Sequence, residues 1–516
     1  MRPAHYTKRD YVCALLAALI VFLLAAGTVT RGLRIWGDDS AGYLNEAAAI
    51  AEGRLEEQLT LNARMHPSYL PEEVRNGKLV YAWGFPLLEA AVYKAVGFDR
   101  EGYSSLVYYK LILVASLAVC AGALTLFFRR RFSLKASVLA AVLFCANPRL
   151  LEEINKLYGD VTFVCFTVLT FLLAECFVFS EKHAGRVVTG LFYALCMWFT
   201  YELRLNGFTV IAAAFFGHAV CFVRKQVRFD ARTVCIHAAP YVLCILFVLL
   251  SEALLLPKAT SNMSDFKRTN IDSIIKNAGI VFGRPFVFFD RSTGIRFYVT
   301  GAVMYALCVL GLCRNGFKDN LYLVALWLGS FLVVMLLPYD QGIRYLFNVL
   351  PIMLMYMMYG ARELIALYRR EHERIGFLKN RRLWRILGAG ALALVMGIGI
   401  VYDLAVGIGN LANSRVDGNE SVFTDDAKEA YAYIRQNVAE DKTVRFRKPR
   451  MLYLVTGRVS LPSRVNGEVK IDGDYYLFGS SEILGSSAEL EMLKRYECVF
   501  ENEGFALFDL RREATQ

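Results

Sequence analysis

The sequence predicts an all-α polytopic membrane protein of about eleven membrane-spanning helices, with a small α/β domain at its C-terminal end. Three observations predict it. Of 516 residues, 56% are hydrophobic, and the mean hydropathy is +0.39; a water-soluble domain of this size buries its core with less apolar content. The apolar residues fall in runs of roughly 17 to 24, long enough to cross a hydrocarbon layer of about 30 Å. The formal net charge of +11 sits in short clusters between those runs, as in cytoplasmic loops, and not on one face of a soluble domain, as nucleic-acid binding requires. No nucleic-acid partner is expected.

The first run, Tyr11–Val29, follows Arg2, Lys8 and Arg9. A basic start and small residues near Ala25 also fit a signal peptide, but its length favours an uncleaved anchor. The further spans are expected at Tyr108–Phe128, Leu134–Asn147 (closed by Pro148), Gly159–Phe179, Val187–Phe199, Phe208–Val223, Val234–Leu256, Phe297–Cys313, Leu321–Leu337, Leu346–Ala361 and Ile386–Ile408. The twelve cysteines form no framework: eleven lie in or beside apolar runs, and Cys498 is alone in the C-terminal domain. With no Cys-x-x-Cys, no His-Glu-x-x-His and only six scattered histidines, neither a metal site nor another cofactor is expected.

Orientation follows from lysine and arginine. Segment 129–135 carries four basic residues and no acid, and 362–385 carries eight basic residues. The alternate connections hold few, each near an acid. This parity places the N-terminus in the cytoplasm and, with an odd number of spans, the C-terminal domain outside a plasma membrane. A transmembrane domain over 1–409 and an extracytoplasmic domain over 410–516 are therefore expected. In the latter, "TDDAKEAYAYIRQNVAEDKT" has a capping residue and helical spacing of Ala427, Ala430, Tyr431 and Ile434, and "MLYLVTG" and "YYLFG" look like strands. In the first outer segment, about 30–107, "YAWGFPLLEAAVYKAVGF" is too short and interrupted for a span and is expected to be an interfacial helix.

Charged residues gather at the outer ends of these runs. Asp38 and Asp39 lie just beyond the first span and open a helix with Tyr43, Ala47, Ile50 and Ala51 on one face. Adjacent carboxylates there serve as caps that complement the helix dipole, or as chemistry. Glu152, Glu153 and Asp160 bracket the third connection; Glu202 and Arg204 lie between spans five and six, and Asp340 and Arg344 between spans nine and ten. Ionisable groups at such depth are costly unless they pair or serve a polar cavity. As a set they suit a lipid-linked phosphate at the interface, held by arginines, with a carboxylate to take the proton of an incoming hydroxyl or amine.

Several short stretches carry a family resemblance. "GDDSAGYLNEAAAIAEG" has an acidic pair, a Tyr and a small-residue helix; "WGFPLLEAAVYKAVG" leads by Gly-x-Pro-Leu into an apolar helix. "NPRLLEEINKLYGDVTFVCFTVLTFLLA" closes one span on proline and opens the next on an acid, "GIRYLFNVLPIML" has Arg-Tyr before a Pro-containing span, and "AYIRQNV" and "RKPRMLYLVTGR" lie in the tail. Across nearly the whole chain this layout resembles the GT-C superfamily of membrane glycosyltransferases, of the protein O-mannosyltransferase and lipid A aminoarabinose transferase type (glycosyltransferase family 39). The resemblance implies an inverting enzyme. It would move a sugar from a polyprenyl-phosphate donor to an extracytoplasmic glycan, lipid or protein acceptor. Asp38 would be the general base with Asp39 beside it, Asp160 a second acid on the acceptor side, and Arg204 and Arg344 the groups that neutralise donor phosphate. Where relatives often carry Glu, this chain has Asp39. A transporter, flippase or polymerase for lipid-linked glycans is the alternative; a transporter needs polar groups near the middle of several spans, whereas the charges here gather at one end.

Overall fold

A computed structural model describes residues 6–33, 38–65, 82–180, 183–254, 269–283, 285, 288, 295–316, 320–337, 343–372 and 422–514, apart from 466, 482 and 483. The chain is mostly helical. Helix α1 (Lys8–Gly27) is followed by α2 (Asp38–Glu52), α3 (Leu55–Met65) and α4 (Gly84–Val96). Then come α5 (Leu106–Arg129), α6 (Leu134–Cys145), α7 (Pro148–Lys156), α8 (Asp160–Val178), α9 (His183–Leu203), α10 (Gly207–Val223) and α11 (Ala231–Leu254). After these lie α12 (Ile271–Gly283), α13 (Ile295–Gly311), α14 (Leu321–Met335) and α15 (Leu350–His372).

Among the described residues, four helices are long and apolar enough to cross a bilayer: α1, α5, α8 and α11. Helices α6 and α7 form a pair bent by 41° that together reach the same length. Pro148, expected to close a span, instead opens α7: its missing N–H is one that a first helical turn leaves unpaired, and Asn147 caps that turn by accepting from the Arg149 amide at 2.9 Å. Shorter apolar helices occupy the expected sixth, eighth and ninth spans. The expected eleventh, Ile386–Ile408, lies outside the described residues.

The C-terminal domain begins with α16 (Asp425–Asn437). Thr424 caps it by accepting from the Ala427 amide at 3.2 Å, and Ala427, Ala430, Tyr431 and Ile434 are its buried residues, as their spacing predicts. Strand β1 (Val444–Phe446) leads to α17 (Pro449–Thr456), then β2 (Ser460–Pro462), β3 (Arg464–Val465), β4 (Glu468–Val469), β5 (Tyr475–Gly479), α18 (Ser487–Leu493), β6 (Tyr496–Glu501) and β7 (Phe505–Glu513). Five strands form a mixed sheet in the order β2-β1-β5-β7-β6, with β1 parallel to both neighbours; β3 and β4 form an antiparallel pair. The "MLYLVTG" segment is helical, not a strand. Pro449 at its first position and Gly457 in the left-handed conformation at its end frame one short helix, buried nearly all round, whose apolar run carries no period to distinguish it from a strand.

Apolar packing continues without a break from the bundle into this domain. Tyr103 and Phe423 stack with ring centroids 3.8 Å apart. Helix α2 lies between, packed on α4 on one side and on α17 on the other.

Candidate active site

The chain between α1 and α2 is anchored before the acidic pair begins. Buried Lys110 on α5 donates to the Thr30 carbonyl at 2.8 Å and to Asn155 Oδ1 at 3.2 Å, and Asn155 Nδ2 donates to the Thr28 carbonyl at 2.8 Å. On the other side, α4 touches the end of α9. A Cβ built on Gly84 would lie 2.8 Å from the backbone of Glu202 and Leu203, so only glycine permits the approach. Its neighbour Phe85 packs edge-on against Tyr43 of α2, with centroids 5.4 Å apart. These contacts fix the first turn of α2 against the start of α8 and the end of α9.

Four of the charged residues singled out in the sequence meet there. Arg204, just after α9, places Nη2 2.9 Å from Asp160 Oδ1 at the start of α8. Arg344, in a 3-10 turn over Ile343–Leu346, places Nη2 2.9 Å from Asp39 Oδ2. Asp160 also acts electrostatically on Arg344, and the two arginines act on each other, so the pairs form one cluster. Asp160 is 1% exposed and Asp39 34%, so the cluster runs from the buried bundle toward its surface.

Asp38 is held differently. Its Oδ1 accepts from the backbone amides of Arg450 and Met451, at 3.1 and 3.2 Å, in the first turn of α17. Its Oδ2 lies 4.0 Å from Arg450 Nε. Burial, the largest effect, raises its proton affinity above that of an ordinary aspartate; the charges of Arg450 and Lys448 and the Met451 amide pull it back, and Asp39 adds to the rise. Of the three acids, Asp38 alone has no guanidinium within 3 Å among the described residues.

Glu152 and Glu153 pair instead within α7, with Arg149 at 3.5 Å and Lys156 at 2.8 Å, and Glu202 accepts from Ser251 at 2.9 Å. Asp340 lies outside the described residues. Aromatic rings that the charge pattern did not announce complete the cluster. Arg344 lies 4.6 Å from the Tyr158 ring centroid, and Tyr345 lies between the two arginines, 4.7 Å from Arg204 and 5.4 Å from Arg344. Tyr43 sits within the field of all four charged residues. Among the described residues no three His, Cys, Asp or Glu converge as metal ligands.

Comparison with known proteins identifies the class of fold. No family model matches the sequence, and no curated protein matches it. Solved structures do. ArnT from Cupriavidus metallidurans, bound to undecaprenyl phosphate, superposes with a TM-score of 0.56 at 9% identity, covering 98% of each chain. The archaeal oligosaccharyltransferase AglB from Archaeoglobus fulgidus, in complex with an inhibitory peptide and a dolichol-phosphate, gives 0.52 at 13% identity, over 90% of this chain and 69% of that one. The apo form of the Archaeoglobus fulgidus oligosaccharyltransferase gives 0.54 at 12% identity, with the same coverage. The fold is thus one shared with ArnT and the archaeal oligosaccharyltransferase.

Proposed function

We propose that this protein is an integral-membrane glycosyltransferase that moves one sugar from a polyprenyl-phosphate donor to an acceptor outside the cytoplasm. The observation that carries the reading is the separation of roles at one end of the bundle: two arginines, each 2.9 Å from a carboxylate, in a tyrosine-lined cluster, and beside it a half-buried aspartate whose nearest guanidinium among the described residues, that of Arg450, is 4.0 Å away. Structures sharing the fold contain undecaprenyl phosphate and dolichol-phosphate, which supports a lipid-phosphate ligand here.

In this mechanism Arg204 and Arg344 leave Asp160 and Asp39 in part to hold the donor phosphate, which they suit as planar, permanently charged forks. Asp38 takes the proton of the acceptor hydroxyl or amine as its oxygen or nitrogen attacks the anomeric carbon. The bond from that carbon to the phosphate oxygen breaks, and the phosphate leaves with the electron pair, needing no proton. One displacement inverts the anomeric centre. Asp160, freed from Arg204 as the phosphate binds, would serve as a second acid toward the acceptor.

Arg204→Ala and Arg344→Ala are each expected to weaken use of the lipid donor by about 1.5–3 kcal/mol, because a buried phosphate loses a charge-assisted partner. The assay gives purified protein either a radiolabelled nucleotide sugar or its polyprenyl-phosphate counterpart. Transfer from the nucleotide sugar with no lipid carrier present sinks the reading.

The same mechanism requires the C-terminal domain outside a plasma membrane, as the basic connections imply. A reporter active only in the cytoplasm should stay silent when fused after Gln516. Activity there changes the span parity and removes the argument for an outer site.

A further inference from the structure

Helix α2 grips α17 at two points. Asp38 Oδ1 takes the Arg450 and Met451 amides at 3.1 and 3.2 Å, and Asn45 Nδ2 donates to the Arg450 carbonyl at 3.0 Å. Asp38 and Asn45 are two turns apart on one helix face, so a single residue, Arg450, is held by both its amide and its carbonyl. Asn45 is 4% exposed, Arg450 5% and Met451 0%. The bonds join residues more than 400 positions apart, across the boundary between bundle and soluble domain.

The chemistry of this contact is asymmetric. The amides at the start of α17 point at Oδ1 with the positive end of the helix dipole behind them. With Oδ1 so occupied, Oδ2 is the oxygen left to take a proton. A base whose second polar atom is fixed by another group is the arrangement that orients bases in hydrolytic triads. The Arg450 side chain, 6% exposed, also brings its Nε to 4.0 Å from Asp38 Oδ2, so the same residue adds a positive charge beside the oxygen that takes the proton.

We propose that Arg450 is a positioning residue: through the first turn of α17, the soluble domain orients the Asp38 carboxylate, so that turnover depends on that domain being docked on α2. This rests on the glycosyl-transfer reading of the same site. It gives the C-terminal domain a role in the chemistry beyond covering the site or binding acceptor. Among the described residues, the charged groups acting on Asp38 are Arg450 and Lys448 from the C-terminal domain and Asp39 from its own helix.

Full-length Arg450→Gln, Arg450→Lys, Asn45→Ala and Asp38→Asn, and the Arg450→Gln/Asp38→Asn double variant, test it. With a polyprenyl-phosphate sugar as donor, Arg450→Gln should lower kcat about tenfold or more while KM for the donor changes less than about twofold. Removing one cation should also move the acid limb of the kcat/KM profile to higher pH, because protonated Asp38 is then opposed by one positive charge fewer. Arg450→Lys should restore the limb and most of kcat. Asn45→Ala should lower kcat with no change of charge. Thermal unfolding of the single and double variants gives a readout without activity: the losses should be non-additive, because the residues share one contact.

Additive losses overturn the proposal whatever the activity. So does an Arg450→Gln variant whose pH profile is unmoved and whose lost kcat Lys does not recover, since that is a purely structural arginine. If the unsubstituted protein transfers no sugar while the coupling is present, the glycosyl-transfer reading fails and the grip is reduced to a contact between domains.

Discussion

Asp38→Asn should reduce turnover by about 100- to 10,000-fold, the usual worth of a positioned base, while the protein remains folded and inserted. The substitution is chosen for what it preserves. Asparagine keeps a carbonyl oxygen where Asp38 Oδ1 accepts the Arg450 and Met451 amides, so α17 can stay docked. It removes only the site that takes the acceptor's proton. The pH dependence follows with a definite sign. The base works ionised, and burial raises its proton affinity above the ordinary aspartate value of about 3.9. Activity should therefore be lost on acidification at a pH above the ordinary aspartate value, and the residual rate of the Asn variant should lack that limb. Asp39→Asn should be milder, since Asp39 is engaged with Arg344 at 2.9 Å. Initial rates over pH, on material of matched thermal stability, check both. Near-normal turnover in Asp38→Asn would assign the residue to capping α2 and docking the C-terminal domain.

Glu175→Gln should cost about 3–5 kcal/mol of stability, the scale of breaking a buried ion pair on one side. Glu175 is fully buried near the far end of α8 from Asp160. It meets Arg130 at 3.1 Å and Arg131 at 2.5 Å, and accepts from the Tyr322 hydroxyl at 2.6 Å. Arg131 also donates to Asn320 Oδ1 at 3.0 Å. Neutralising Glu175 leaves two guanidinium groups inside the bundle without their counter-charge. A lower midpoint of thermal unfolding and a smaller folded fraction after membrane extraction are expected, with Glu175→Asp between the two. A midpoint within a degree of the parent would show that water already compensates these arginines.

That network marks one boundary of what the sequence discloses. The run Arg129–Arg131 carries four basic residues with Lys135 and no local acid, which points to a solvated loop. The acids arrive from elsewhere: Asp10 pairs with Arg129 at 2.8 Å across 119 positions, and Glu175 reaches Arg131 across 44. Long-range pairing leaves no spacing signal. Elements with a repeating period and a cap, such as α16, were legible to the residue. The α17 segment was not, because a short apolar run buried on all sides has the same pattern in helix and strand. At the site, Asp39, Asp160, Arg204 and Arg344 announced themselves by charge at the ends of apolar runs. Arg450 lay hidden in "RKPRMLYLVTGR", where Pro449 after basic residues was the one sign of a helix start.

The paired state of the cluster bears on how the protein lets go of what it binds. Two carboxylates face two guanidiniums there, so the four side chains balance one another in charge. On the proposed function, an incoming phosphodiester would have to compete with these acids for each arginine, which would limit how tightly it is held. The same competition favours departure. In the proposed reaction, sugar transfer would turn the diester into a monoester, whose charge at neutral pH is nearer −2, and a site of unopposed arginines would retain that product more firmly than its donor. Here each arginine has a carboxylate 2.9 Å away to return to, an internal counter-ion that, in the proposed cycle, would trade affinity for release of the product.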